Sequence, residues 1–256
     1  MSQQDNSNNT VITNQWQLLK SYTPARVALG RTGNAIPVTA ALQLKLSHAY
    51  AKDAVHAALD INSMEQSLQQ LQHPVLCVCS KAVNRQVYLQ RPDLGRQLDE
   101  SSSILLQSAQ KDFDVAVILA DGLSAIAMQL HAPMVLQHLM PLLQNAGLTV
   151  APIIIVTQAR VAIGDAIGSL LRSKVSVVLI GERPGLSVSD SMGIYTTYQP
   201  VTGLTDESRN CISNIHDNGL DYNTAAQKAF MLIENSIKLK LSGVQLKENT
   251  ASIQLT

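Results

Sequence analysis

Apolar residues along the chain change their period near residue 73. Before it, residues 39–59 carry Leu42, Leu46, Ala49, Val55 and Leu59 at helical spacing, with no glycine or proline, and predict a helix. Residues 63–71 predict a second, shorter one. His73-Pro74 ends it, and Val75–Cys79 reads as a buried strand. From there strands and helices alternate. Residues 115–119, 150–156 and 175–180 read as strands, and 94–110, 124–145 and 161–173 as helices, with Gly147 closing the long 124–145 helix. Residues 194–198 add a strand and 223–241 a closing helix, while 245–256 has no clear period.

The strands VAVIL, APIIIV and VSVVLI are continuous apolar runs, as a sheet covered on both faces requires. The alternation therefore predicts an α/β fold: a doubly wound, mostly parallel Rossmann-like sheet with an N-terminal helical extension. The expected organisation is a polar, flexible tail over 1–22, a helical extension over 23–72 and the α/β domain over 73–256.

In such sheets a ligand lies beyond the carboxyl ends of the strands, where strand order reverses. Those ends are marked by Asp121-Gly122-Leu123-Ser124, by TQARV at 157–161 and by GERPG at 181–185. None is a GxGxxG or a Walker loop, so the ordinary dinucleotide and nucleoside triphosphate readings lose support. The glycines would let a ligand approach the backbone. Asp121 and Ser124 read as caps of the following helix. Glu182 ends an apolar strand, where a carboxylate must be paired, hydrogen-bonded or open to a cleft. Arg183 is one candidate partner, and a ligand's amides or hydroxyls are another.

Composition narrows the class. Of 256 residues 46% are apolar and 15% charged, with 19 basic against 19 acidic. The absent basic excess excludes the usual nucleic-acid binder and a polybasic membrane surface. No apolar run approaches the ~20 residues of a membrane span. The polar first fifteen residues do not form a secretory leader, which points to the cytosol. Cys77, Cys79 and Cys211 are too few and too odd in number for a disulfide framework. Cys77 and Cys79 share one face of a strand and read as core cysteines. Cys211 and His216 could pair as thiol and base, but no thiol-enzyme signature surrounds them. His216-Asp217-Asn218-Gly219 has the HxxG spacing of cobalt-ligating histidines. Asn214 stands where an aspartate would orient that imidazole, so His216 reads as structural or surface.

Several segments together resemble one family. TPARVALGRTGN at 23–34, SHAYAKDAVH at 47–56, YLQRPDLGR at 88–96, DGLS at 121–124, IGERPG at 180–185 and RNCISNIH at 209–216 follow, in order, the small (light) subunit of ethanolamine ammonia-lyase. The resemblance implies an adenosylcobalamin enzyme that converts ethanolamine to acetaldehyde and ammonia by a radical route. It implies a large barrel subunit that carries the substrate site, with the cofactor held between the two chains and six of each in the assembly. Val161, Glu182 and Cys211 are the implied cofactor-binding residues. The cofactor's own base stays on cobalt, so no metal ligand and no catalytic residue fall on this chain. A corrinoid carrier, or a subunit of a related eliminase acting on another amino alcohol or diol, is the alternative. The N-terminal helix and the 23–34 loop, with Arg26 and Arg31, are candidates for partner contact. The tail lacks a packaging stripe, which favours free cytosol over a microcompartment.

Overall fold

The computed structural model describes residues 11–12 and 14–246. Parts of the expected flexible tail (1–10 and 13) and of the unassigned end (247–256) lie outside the described residues. Among the described residues a 3₁₀ helix at Gln15–Ser21 comes first, within the segment expected to be a flexible tail, and two α-helices follow, α1 (Val38–His56) and α2 (Ile61–Leu68). α1 stops short of the expected residue 59 because Ala57 turns to extended backbone and Asp60 caps α2 through the Ser63 amide, 3.1 Å away.

Six strands follow: β1 (Val75–Cys79), β2 (Val115–Ala120), β3 (Ile153–Thr157), β4 (Val175–Gly181), β5 (Met192–Tyr198) and β6 (Asn210–Ile215). The remaining helices are α3 (Arg85–Gln90), α4 (Glu100–Ser108), α5 (Ala125–Asn145), α6 (Ile163–Leu170) and α7 (Tyr222–Leu239). The strand order is β1-β3-β2-β4-β5-β6. The first four strands are parallel, and β5 and β6 extend the sheet by two antiparallel pairings.

Alternation within each strand explains the unbroken apolar runs. Val115, Val117 and Leu119 of β2 enter the core shared with α2, α5 and α7. Their neighbours Ala116, Ile118 and Ala120 enter the opposite core, with α4 and α6. Thus α5, following β2, and α6, following β3, cover opposite faces. A crevice opens between the carboxyl ends of those two adjacent strands.

Three expectations change. The helix expected over 94–110 is a short turn at Leu94–Arg96 followed by α4, which starts only where the Asp99 carboxylate accepts the Ser102 amide at 2.7 Å. The residues between run beside β1, where the Lys81 amide donates to the Gln97 carbonyl at 2.9 Å and the Asp99 amide to that of Cys79 at 3.1 Å. Cys77 and Cys79 are exposed rather than core residues, because β1 is an edge strand paired only with β3. The third change is β6, where the sequence shows only a polar segment. Asn210, Ser213 and Asn214 sit on it with Ile212 and Ile215 buried between them.

Candidate functional site

The loop after β2 is held by its own aspartate. Asp121 is 1% exposed. Its carboxylate does not cap α5 but accepts the amides of Gln158 and Ala159 in the loop after β3, at 2.8 and 2.9 Å. Arg85 lies 3.6 Å from it and also donates to the Gly122 and Val55 carbonyls, at 2.8 and 2.6 Å. Burial pushes the Asp121 carboxyl above its ordinary pKa, against the amides and Arg85, which favour the ionised form. The expected cap is made by Ser124 alone, whose hydroxyl accepts the Ala127 amide at 3.3 Å.

Gly122 and Gly181 fit the loops to each other. Gly122 has φ +59°, and a side chain on it would strike the Gly181 backbone. A side chain on Gly181 would strike the Ser124 carbonyl and approach the Asp121 carbonyl to 2.8 Å. These two glycines are demanded by loop packing before any ligand arrives.

Tyr88, from α3, fixes the loop after β3. It is fully buried, and its hydroxyl donates to the Ala159 carbonyl at 3.1 Å. The Arg160 guanidinium packs 4.3 Å from its ring centre, and the Arg160 amide donates to the Gly95 carbonyl at 2.7 Å. A side chain on Gly95 would crowd Arg160 and Tyr88 at 3.1 Å, which explains the glycine in YLQRPDLGR. Tyr88 carries no sequence signal of this role beyond its place in that segment.

A pocket of about 430 Å³ opens over these loops, lined by Tyr88, Arg160, Val161, Glu182, Arg183 and Tyr195 among others. A second, of about 720 Å³, shares Arg160 and Val161 and continues past Arg96 to Asp165, Asp206 and Arg209. Val161 and Glu182 therefore face one cavity. Glu182 takes Ser191, not Arg183, as its partner: the serine hydroxyl donates to Oε2 at 2.6 Å. A side chain on Gly193 would lie 2.9 Å from Oε1, so glycine there leaves room for the carboxylate.

Cys211 lies beside this wall on the neighbouring strand, as the register partner of Tyr195 across β5 and β6; it is exposed and lines neither cavity. Partial burial, reinforced by the Glu182 charge, pushes its thiol pKa up, against a hydrogen bond with Tyr195. Burial followed by Cys211 and Glu182 raises the Tyr195 phenol in turn. A thiol held protonated does not suit a nucleophile. His216 is buried, its ring bonded to the Asn214 side chain at 3.0 Å and to the Asn218 amide at 3.3 Å. That makes it a structural histidine.

The candidate partner-contacting arginines separate. Arg26 donates to the Ser47 hydroxyl and to the Leu186 carbonyl, the latter at 2.8 Å, so it ties the N-terminal segment to α1 and to the β4–β5 loop. Arg31 is exposed, joined to Ile12 only through backbone bonds.

The sheet and its carboxyl-end cavity define a doubly wound α/β protein with a ligand cleft at the point where strand order reverses. The model of the ethanolamine ammonia-lyase light chain family matches residues 13–247. Ethanolamine ammonia-lyase small subunits of Xanthomonas campestris pv. campestris (strain B100) and Pseudomonas aeruginosa (strain LESB58) are each 46% identical to it. The alignments cover 91% and 92% of this chain and 87% and 88% of those proteins. That of Azotobacter vinelandii is 44% identical over 94% of this chain and 91% of its own length. The chain belongs to the ethanolamine ammonia-lyase light chain family. Among the described residues, no helix is long and apolar enough to cross a membrane.

Proposed function

We propose that this chain is the corrinoid-holding subunit of an adenosylcobalamin-dependent ethanolamine ammonia-lyase. It would present Val161, Glu182 and Cys211 towards a cofactor enclosed by the large subunit, in an assembly of six chains of each kind. When bound, adenosylcobalamin supplies the radical chemistry by which ethanolamine becomes acetaldehyde and ammonia. The observation that carries the reading is the convergence of Val161 and Glu182 on one cavity, with Cys211 beside Tyr195 on the neighbouring strand.

The donor set suits a corrinoid, a large ring fringed with amides. Val161 offers an apolar edge. Glu182, already oriented by Ser191, accepts an amide N–H through its remaining lone pairs. The guanidinium of Arg160 has a buried Nε with no partner in the protein. The loops after β2, β3 and β4, held together by Asp121 and the two glycines, would give a bound corrinoid a preformed floor and help to exclude water. No residue of this chain needs to move a proton in the reaction.

The test is an acetaldehyde assay with adenosylcobalamin and ethanolamine on this chain, on its large subunit and on the co-expressed pair. Turnover only by the pair is expected. Glu182→Gln in that pair should weaken cobalamin retention about tenfold, the cost of replacing a charged acceptor. A folded, assembled pair that retains no cobalamin would overturn the reading. Cobalamin retention without turnover would move the substrate to another amino alcohol or a diol.

A further inference from the structure

Most arginines of this protein are spoken for. Arg85 pairs with Asp121, Arg91 with Asp93, Arg172 with Asp112 and Arg209 with Asp165, and Arg26 donates to Ser47 and Leu186. Among the described residues, Arg31, Arg96, Arg160 and Arg183 make no side-chain hydrogen bond or ion pair. Three of these four line the two neighbouring cavities of the site.

Arg160 is the most constrained. Its guanidinium carbon lies over the Tyr88 ring at 4.3 Å, with that of Arg85 over the same ring at 4.7 Å. The Arg160 charge depresses the Arg85 guanidinium pKa, after burial itself, so the two cations repel across the ring. Arg85 is compensated by Asp121. Arg160 has no carboxylate of its own, and its Nε is buried without a partner. Arg160 makes no side-chain hydrogen bond or ion pair among the described residues and borders both cavities, so its guanidinium, held against Tyr88, is a preformed fork for an anion.

The charge count agrees. Together the two cavities are lined by Arg96, Arg160, Arg183 and Arg209 against Asp165, Asp206 and Glu182. One positive charge is left over in a chain whose formal net charge is zero. Asp165 and Asp206 are both turned towards Arg209, at 2.6 and 3.5 Å, and Glu182 towards Ser191, so none neutralises Arg160. The surplus matches a singly charged anion such as a phosphodiester, with Arg160 as the anchoring fork and Arg96 and Arg183 on the rims.

We infer that Arg160, flanked by Arg96 and Arg183, binds the phosphodiester of the cofactor's nucleotide tail. The inference rests on the corrinoid reading above and places the tail over the loop after β3, with Glu182 on the ring amides. It makes Arg160 the residue that distinguishes a complete cobalamin from one cut off before the phosphate.

The test is equilibrium dialysis of the chain assembled with its large subunit. Cyanocobalamin is compared with dicyanocobinamide, which lacks the phosphodiester and nucleotide but keeps the ring amides. Arg160→Gln should weaken cyanocobalamin about ten- to a hundredfold, as expected for a lost charge-assisted bond, and leave dicyanocobinamide within about twofold. Arg160→Lys should recover part of the loss, since it keeps the charge without the fork. Arg183→Gln, an exposed position, should shift the ratio in the same direction and decides the matter if Arg160→Gln does not assemble. Equal weakening of both corrinoids, or an unchanged ratio, would overturn the inference alone. A wild-type assembly that binds neither corrinoid would overturn the cofactor reading itself.

Discussion

Arg209 and Asp165 form a two-point ion pair inside the protein, with Nη1–Oδ1 at 2.6 Å and Nη2–Oδ2 at 2.8 Å. Both side chains are 2% exposed. Arg209 immediately precedes β6, and Asp165 lies in the first turn of α6. The pair therefore binds the strand bearing Cys211 to the helix that follows Val161. Burial works against the guanidinium charge, yet Asp165 outweighs it and holds the Arg209 pKa above its ordinary value.

Breaking this pair from one side strands a buried charge. Asp165→Ala or Arg209→Ala should cost about 3–5 kcal/mol in urea unfolding. The double variant Asp165→Leu, Arg209→Met should cost less than either single change, because no charge is left uncompensated. A double variant at least as unstable as the worse single one would show that the pair's remaining bonds, to Thr197 and the Leu204 carbonyl, carry the stability instead.

Gly181→Ala should lower stability by about 1–3 kcal/mol through overpacking and should separate the loops after β2 and β4, reducing cobalamin retention. Gly147→Ala is the control. A side chain there meets nothing within 4 Å and pays only for φ +70°. Thermal unfolding of both, with corrinoid retention on the assembled protein, separates crowding from backbone strain. Equal effects of the two changes would contradict the packing argument.

Asp114 clips β2 to its neighbours. Its carboxylate accepts the Thr149 amide and hydroxyl, each at 2.8 Å, and pairs with Lys174 at 2.8 Å. Burial raises its pKa, but Lys174 and Thr149 outweigh burial and hold it below the ordinary value. A depressed carboxyl pKa adds stability above the unfolded-state pKa and loses it as pH falls through the folded one. Asp114→Asn should therefore cost about 1 kcal/mol at neutral pH, mostly through Thr149, since Lys174 is largely exposed. The gap to wild type should narrow as pH falls below 4, measured by urea unfolding across pH. A pH-independent gap would assign the loss to the amide's geometry, not to the charge.

Arg31→Ala should weaken co-purification with the large subunit and leave the unfolding temperature unchanged, because among the described residues Arg31 contributes only backbone bonds to this fold. Arg26→Ala should do the reverse, since its donors tie α1 to the β4–β5 loop. Unaltered association of the Arg31 variant would remove this residue from the interface.

The central sheet was legible because its strands are buried on both faces, and VAVIL, IIIV and VSVVLI admit no other reading. β6 was not legible. It ends the sheet, so half its positions face outward and Asn210, Ser213 and Asn214 mask the two isoleucines. Cys77 misled for the same reason at the other edge, where an apolar-looking strand lies uncovered. At the site, the loops could be located from strand ends, and Glu182 stood out as a carboxylate after an apolar run. Asp121 looked like a helix cap because its actual partners, Gln158 and Ala159, lie 37 and 38 positions away. Tyr88 and Arg160 meet only through the fold, and no local spacing announces them.

The strand order also sets a timetable for synthesis. β1 has a single neighbour, β3, and its Val75 pairs with Ile153, 78 positions later. β2 likewise pairs only with β3 and β4, both made after it. No two strands of this sheet can join until β3 has left the ribosome, so β1 and the wholly apolar β2 must wait unpaired. A nascent chain halted before residue 153 therefore exposes both strands to other chains, and it is the species a chaperone would be needed to hold.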